Sequence, residues 1–296
     1  MNYSPSENFL IIGELPREYL SQTCITEDLG VVARKLDLAG RQVSVEELDR
    51  ACESADDDTV HEIAWKLIAG AEYRRSDQPA DEHILDAIRM YLGLQSLVRE
   101  YSAAAVTVVC DQWKQRSDRP VPCVPLMLLG EQGVPGGCQG DIDALLTMVM
   151  YRRWCGRCSF MGGLHEHTGR AVVSHDVLPR NFADANAAGF APYTIADYHG
   201  ELAGPTVHVK LAPGLTVTLA HVTKDLQTLI LSRGTLLEVA DSPIRCRNAM
   251  VIDTPSLDAL MSLRIDNQYH FAVAAGDCTQ QMAAGAREAG VEPKVV

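Results

Sequence analysis

No stretch of this chain stays apolar for the roughly 18 residues that a membrane span requires, although hydrophobic residues make up 47% of it. The run from Leu10 to Leu15 is too short for a signal-peptide core and has no basic flank, so a cytoplasmic protein is expected. Positive charge is also scarce: 26 Lys and Arg stand against 39 Asp and Glu, for a formal net charge of −13. A protein that tracks phosphates needs a basic face, so nucleic acid is excluded as the expected partner. A second CxxC is missing, which leaves Cys155-Gly156-Arg157-Cys158 alone and makes it weak support for zinc. The nine cysteines are odd in number and scattered, so reduced thiols are expected rather than a secreted disulfide framework. There is no internal repeat and no low-complexity segment.

What the chain does hold is enough for one to three domains and a sizeable core. The stretch from Pro122 to Arg153 organises it. An apolar run ends at Glu131, breaks at Gly133-Val134-Pro135-Gly136-Gly137, and Cys138-Gln139-Gly140-Asp141 then opens a helix over 142–150. That helix is apolar on nearly every side. A carboxylate placed where a Gly-rich turn feeds a buried helix marks Asp141 as a site residue.

Upstream, 8–14 reads as a short strand and 30–38 as a second. Ser44 caps a helix, with Glu47 three residues on as in a capping box. Further helices are expected over 56–68 and 81–101, the second with a helical stripe interrupted only by Gln95. The run 103–110 is continuously apolar with β-branched residues and reads as a central parallel strand. Alternating strands and helices make this an α/β layer architecture. Ligands in such sheets gather outside the carboxyl ends of strands, which draws attention to Asp111; a simple helix N-cap explains Asp111 equally well.

Downstream, strands are expected over 156–163 and 169–174, and His165-Glu166-His167 sits in a Gly-bounded turn. From Pro205 the pattern is strand-dominated, over 207–211, 215–222, 226–232 and 249–252. Turns at Pro213-Gly214 and Arg233-Gly234 suggest an antiparallel barrel or sandwich. A short helix over 256–263, a strand over 269–274 and a helix over 279–289 complete the chain. His61, His83, His208 and His221 read as structural. His175 and His270 differ, because both lie at strand termini where side chains converge on a cleft. Carboxylates with one or two histidines suit a divalent ion such as Mn²⁺.

Several segments form an ordered set: Cys138-Gln139-Gly140-Asp141 with Asp143-Ala144-Leu145-Leu146-Thr147-Met148, Phe160-Met161-Gly162-Gly163, and Ser174-His175-Asp176. Pro192 to His199, Gly214 to Ala220, and Tyr269-His270 through Gly276-Asp277 continue it. Together they resemble the L-fucose isomerase and L-arabinose isomerase superfamily, nearest to its short sugar-isomerase members, over most of the chain. The resemblance implies a Rossmann-like α/β domain over 1–136, equivalent to that family's second domain, then an α+β domain with an antiparallel barrel over 137–296. It implies that the chain begins at that second domain, with no counterpart expected for the family's first. It implies a metal-dependent aldose–ketose isomerase acting on a sugar or polyol-like metabolite through an enediol, with Mn²⁺ as cofactor and a homo-oligomer, trimer or hexamer.

By position the resemblance makes Asp141 a metal-binding and catalytic carboxylate, and His270 the C-terminal ligand. It makes His175 a ligand or substrate contact. The family's other carboxylate would fall near Trp113, so Asp111 or Glu131 must replace it. The family's Glu in the C-E-x-D motif is Gln139. Trp113, Tyr193, Tyr198, His199 and Asn267 are the expected pocket wall. The same fold turned to epimerisation, lyase or rearrangement chemistry, or to ligand binding without catalysis, are the alternative readings.

Overall fold

The computed structural model describes residues 7–15, 29–72, 81–110, 113, 119–183, 189–199, 204–242, 245–263 and 270–296. The first half builds β1 (Glu7–Ile12), α1 (Leu29–Leu36), β2 (Leu38–Val43), α2 (Val45–Glu53), α3 (Asp57–Gly70), α4 (Asp81–Glu100), β3 (Ala103–Val108), α5 (Cys123–Glu131) and β4 (Gly136–Cys138). The strands form one sheet in the order β2-β1-β3-β4, and every pairing is parallel. The inner strands β1 and β3 are buried along nearly their whole length, as expected for strands covered on both faces. Ser44 caps α2 through the Glu47 N–H at 3.1 Å. The Glu47 carboxylate does not close the capping box and instead accepts from the Tyr101 hydroxyl. Gln95, the break in the α4 stripe, donates to Tyr91 Oη at 3.1 Å and to Gln132 Oε1 at 2.8 Å.

The expected strand over 30–38 is instead helix α1 followed by β2. Val32 and Leu36, four residues apart, bury one helical face, and Asp37 at φ 54° breaks the helix before the strand.

The second half runs α6 (Ile142–Met150), a π-helical turn (Tyr151–Cys155), β5 (Ser159–His167), β6 (Arg170–His175), β7 (Tyr193–Asp197), β8 (Pro205–Val209), β9 (Thr216–Val222), β10 (Thr228–Ala240), β11 (Asn248–Asp253), α7 (Leu257–Leu263), β12 (His270–Ala275), α8 (Thr279–Glu288) and β13 (Glu292–Val295). Strands β11-β6-β5-β12-β9-β10 form a closed antiparallel barrel, sealed by the β10–β11 pairing, and β13 adds in parallel to β10. Closure removes the open edges that a six-stranded sheet would otherwise expose. The β7–β8 hairpin stands apart as its own two-stranded sheet.

Helix α6 is buried at every position because it packs against β3 and β4 on one side and β5, β9 and β12 on the other. One continuous core therefore links sheet and barrel through α6. Truncating a side chain such as Leu145 or Leu146 to Ala there would cost about 2–5 kcal/mol. The junction expected at 136/137 falls inside β4.

Two expected turns change. Arg233-Gly234 is not a turn: β10 runs through it, pairing Arg233 with Thr218 and Gly234 with Val217. A Cβ on Gly234 would meet Ile252 Cγ2 at 2.5 Å, so the glycine serves close strand contact where β10 turns from β9 to β11. His165, Glu166 and His167 lie in the last residues of β5, and the turn is Thr168-Gly169, both at positive φ.

The cysteines are not all reduced. Cys110 and Cys138 are joined, because parallel pairing sets the ends of β3 and β4 side by side with the two Cα atoms 6.5 Å apart. Cys155 and Cys158 do not pair with each other: Cys158 donates to the Gly130 carbonyl, while Cys155 hydrogen-bonds Cys278. Among the described residues, no helix is long and apolar enough to cross a membrane.

Candidate functional site

Asp141 reaches its place through a tight turn. β4 ends at Cys138, and Gln139 (φ 59°) and Gly140 (φ 67°) both take the left-handed conformation. The Gly140 N–H donates to Val108 O and the Asp141 N–H to Cys138 O, each at 3.1 Å. Asp141 then caps α6, its Oδ1 accepting from the Ala144 N–H at 2.8 Å. Its other oxygen, Oδ2, lies 2.8 Å from His270 Nδ1. A carboxylate accepts only, so Nδ1 carries the hydrogen. Burial opposes ionisation of Asp141, but the His270 hydrogen bond and charge, with the Ala144 N–H, outweigh it and hold the carboxyl below its ordinary range.

The barrel register gathers the histidines. His270 pairs with Gly163, Gly163 with Ser174, and His175, the next residue, with Asn248. The His175 and His270 rings are 5.6 Å apart and tilted by 57°. His175 Nδ1 accepts from the Asp176 N–H at 2.8 Å, so its neutral form carries hydrogen on Nε2, a buried atom with no hydrogen-bond partner. Burial, then the His270 charge, pushes the His175 imidazole down to about 4. His221 has the reverse arrangement: Nδ1 donates to the His270 carbonyl at 2.9 Å, which leaves a lone pair on buried, unpartnered Nε2. Burial lowers its pKa too, against the Asp141 charge. His221 was expected to be structural. Its position inside an apolar strand run carries no local signal, and only the β9–β12 contact brings it to His270, the partner of Asp141.

A second group adjoins His175. Asp176 Oδ2 lies 3.2 Å from His199 Nε2, and Cys246 Sγ lies 3.4 Å from the same nitrogen. Asp176 is buried, the other two are half-buried, and the three ligand atoms lie within 4.8 Å of one another. This Asp/His/Cys group could hold a metal ion. His199 keeps its backbone at φ 52° with its ring stacked 3.8 Å from Tyr198. Burial and then the Asp176 charge push the Cys246 thiol up. Fully buried Arg247 braces the group: its N–H donates to Asp176 Oδ1 at 2.5 Å, and its guanidinium binds Asp197, two residues before His199.

Other expected site residues lie elsewhere. Glu131 is held by Arg180, Nε to Oε1 at 2.7 Å and Nη2 to Oε2 at 2.8 Å, with both side chains buried. Tyr193 lies against the same guanidinium, 4.7 Å from its ring centroid, and donates its hydroxyl to Leu67 O. Glu131, Arg180 and Tyr193 line a groove of about 640 Å³ with α3 and α4. Trp113 is fully buried and spends its indole N–H on Pro120 O, which makes it core rather than pocket wall. Asp111 and Asn267 lie outside the described residues.

The chain matches no protein-family model and no curated protein sequence.

Proposed function

We propose that the protein is an acid–base enzyme of the aldose–ketose isomerase type, acting on a sugar or polyol-like metabolite beside Asp141 and His270. One observation carries the reading. Two of the residues that the isomerase resemblance singles out, 129 positions apart, meet at 2.8 Å in a partly buried carboxylate–imidazole pair. The pair is suited to proton transfer: Asp141 fixes the His270 ring through Nδ1 and leaves proton exchange to the opposite nitrogen, Nε2. His175, neutral with its hydrogen on buried Nε2, is suited to donate a hydrogen bond to a substrate oxygen.

Oxygen and nitrogen donors of the kind found here, the Asp141 carboxylate and the His221 imidazole, suit a divalent ion such as Mn²⁺, although among the described residues Asp141, His221 and His270 do not converge as a group of ligand atoms. The unpartnered Nε2 of His221, with Nδ1 anchored on a carbonyl, is the arrangement of an imidazole ligand. Such an ion would supply Lewis-acid stabilisation of an enediolate. His175 suits the ligand role less well, because the Asp176 N–H occupies Nδ1 and puts the hydrogen on Nε2. Glu131, tied to Arg180, is not part of the reading.

The parallel order β2-β1-β3-β4 supports a Rossmann-like first domain, with the β4 carboxyl end delivering Asp141 as open α/β sheets deliver ligand-binding residues. A homo-oligomer, trimer or hexamer, goes with the reading. A second reading, in which the same proton abstraction serves epimerisation, elimination or rearrangement, is favoured by Gln139, which stands where the family has a Glu. Solvent-deuterium incorporation at C2 of pentoses, hexoses and deoxyhexoses tests the first reading. No exchange with any of them, by folded and metal-supplemented protein, would remove it.

A further inference from the structure

We infer that Asp176, His199 and Cys246 form a second, sulfur-containing metal site, separate from Asp141, that takes one zinc-class ion and keeps its fourth position open. The argument begins with distances. In a tetrahedral site with metal–nitrogen and metal–oxygen bonds of about 2.0–2.1 Å and a metal–sulfur bond of about 2.3 Å, ligand atoms sit about 3.3 Å (N to O) and about 3.6 Å (N to S) apart. The chain holds His199 Nε2 at 3.2 Å from Asp176 Oδ2 and 3.4 Å from Cys246 Sγ. One ring nitrogen thus faces both a carboxylate oxygen and a thiol at close to the separations a single ion imposes.

The second observation is a buried carboxylate oxygen. Asp176 Oδ2 sits on a side chain with 0% exposure; its near neighbour is His199 Nε2 at 3.2 Å, and no hydrogen bond of good geometry satisfies it. A poorly satisfied buried carboxylate oxygen is costly, and coordination would remove the cost. Asp176 Oδ1 is meanwhile fixed by the Arg247 N–H, which aims Oδ2 at the other two ligands.

The third observation is the support. Arg247 follows Cys246 directly, binds the backbone and carboxylate of Asp197 through its guanidinium, and holds Asp176 through its own N–H. All three ligands therefore hang from one buried residue, the kind of outer shell that orients metal ligands. The donor chemistry selects the ion: one thiolate, one imidazole and one carboxylate suit zinc or cobalt better than manganese or magnesium. Three protein ligands, two of them half-buried, leave the fourth position to water or a small oxygen ligand, as in reactive rather than purely structural zinc sites. Binding releases the Cys246 thiol proton to solvent, so affinity falls as pH falls. The Asp176 N–H also fixes the His175 tautomer, so an ion here would stiffen His175, whose ring lies 5.6 Å from that of His270.

The test is a Co²⁺ titration of metal-free full-length protein, followed by absorption. The expected result is a thiolate-to-cobalt charge-transfer band in the near ultraviolet that saturates at one ion per chain and is displaced by Zn²⁺. Cys246→Ser should abolish that band, and His199→Gln should weaken Zn²⁺ binding at least tenfold, with circular dichroism confirming that each variant is folded. Asp141→Asn should keep the band unchanged, which separates this site from the proposed reaction centre. No charge-transfer band in the wild-type protein, a band that survives Cys246→Ser, or a band lost in folded Asp141→Asn would each overturn the inference.

Discussion

Asp141 and His270 lie 129 residues apart in the chain and 2.8 Å apart in the fold. Two unrelated devices create the contact: a helix N-cap that pins one carboxylate oxygen, and a strand start that delivers the imidazole to the other. The carboxylate is thereby held in one rotamer by two partners, and the proposed chemistry depends on that rigidity.

Asp141→Asn should leave the fold intact, because the amide oxygen can still accept from the Ala144 N–H. Deuterium exchange into the substrate should fall by about 10²–10⁴-fold, the usual span for losing a positioned acid–base group. Near-normal turnover in this variant would move the reaction centre elsewhere.

Gly140→Ala should disturb the same turn from its backbone. The position has φ 67°, and a Cβ there would come within 2.6 Å of Leu15 Cδ2. A loss of about 1–3 kcal/mol is expected in urea unfolding, with exchange reduced further than stability alone explains. Wild-type stability in Gly140→Ala would show that the turn accommodates a Cβ.

His175 makes stability depend on pH in a defined direction. Unfolded, it titrates near 6.5, and folded it is pushed down to about 4. Between those values the unfolded chain binds the extra proton, so stability falls as pH drops through 6.5 and levels off below about 4. The full effect is about 3 kcal/mol. His175→Asn retains an acceptor for the Asp176 N–H but does not titrate, so its stability should vary less across that window. Asp141 adds a separate loss at lower pH, as the solution passes below the ordinary carboxylate range. Parallel pH profiles for wild type and His175→Asn between pH 6.5 and 4 would refute the assignment.

Arg247→Met should be the most damaging of these changes. It strands the Asp197 carboxylate, which is 1% exposed, without a cation, at a cost of about 3–5 kcal/mol. Adding Asp197→Asn should recover part of the loss in a double-mutant cycle. A loss under about 1 kcal/mol for Arg247→Met would show that water reaches the pair.

Local rules made much of this protein legible from its residues. The extent of α6, its Asp141 start, the capped α2, the buried β3 run and the strand-rich second half all follow from periodicity, caps and turn residues. Those signals act within a few positions. The same rules misread 30–38, where a helix hides behind β-branched residues, and Arg233-Gly234, where a glycine serves strand contact instead of a turn.

What tertiary structure alone decided is which distant groups share a space. The pairing of β11 with β6 in the barrel, the joining of Cys110 to Cys138, and the arrival of His221 beside His270 depend on register between strands tens of residues apart. Arg247 shows the reason most directly. Nothing local marks the arginine between Cys246 and Asn248, yet long-range pairing seals it against Asp197 and Asp176 with no exposure at all. The sequence marks where single groups of unusual chemistry sit; only the closed fold brings a carboxylate, an imidazole and a thiol within a few ångströms of each other.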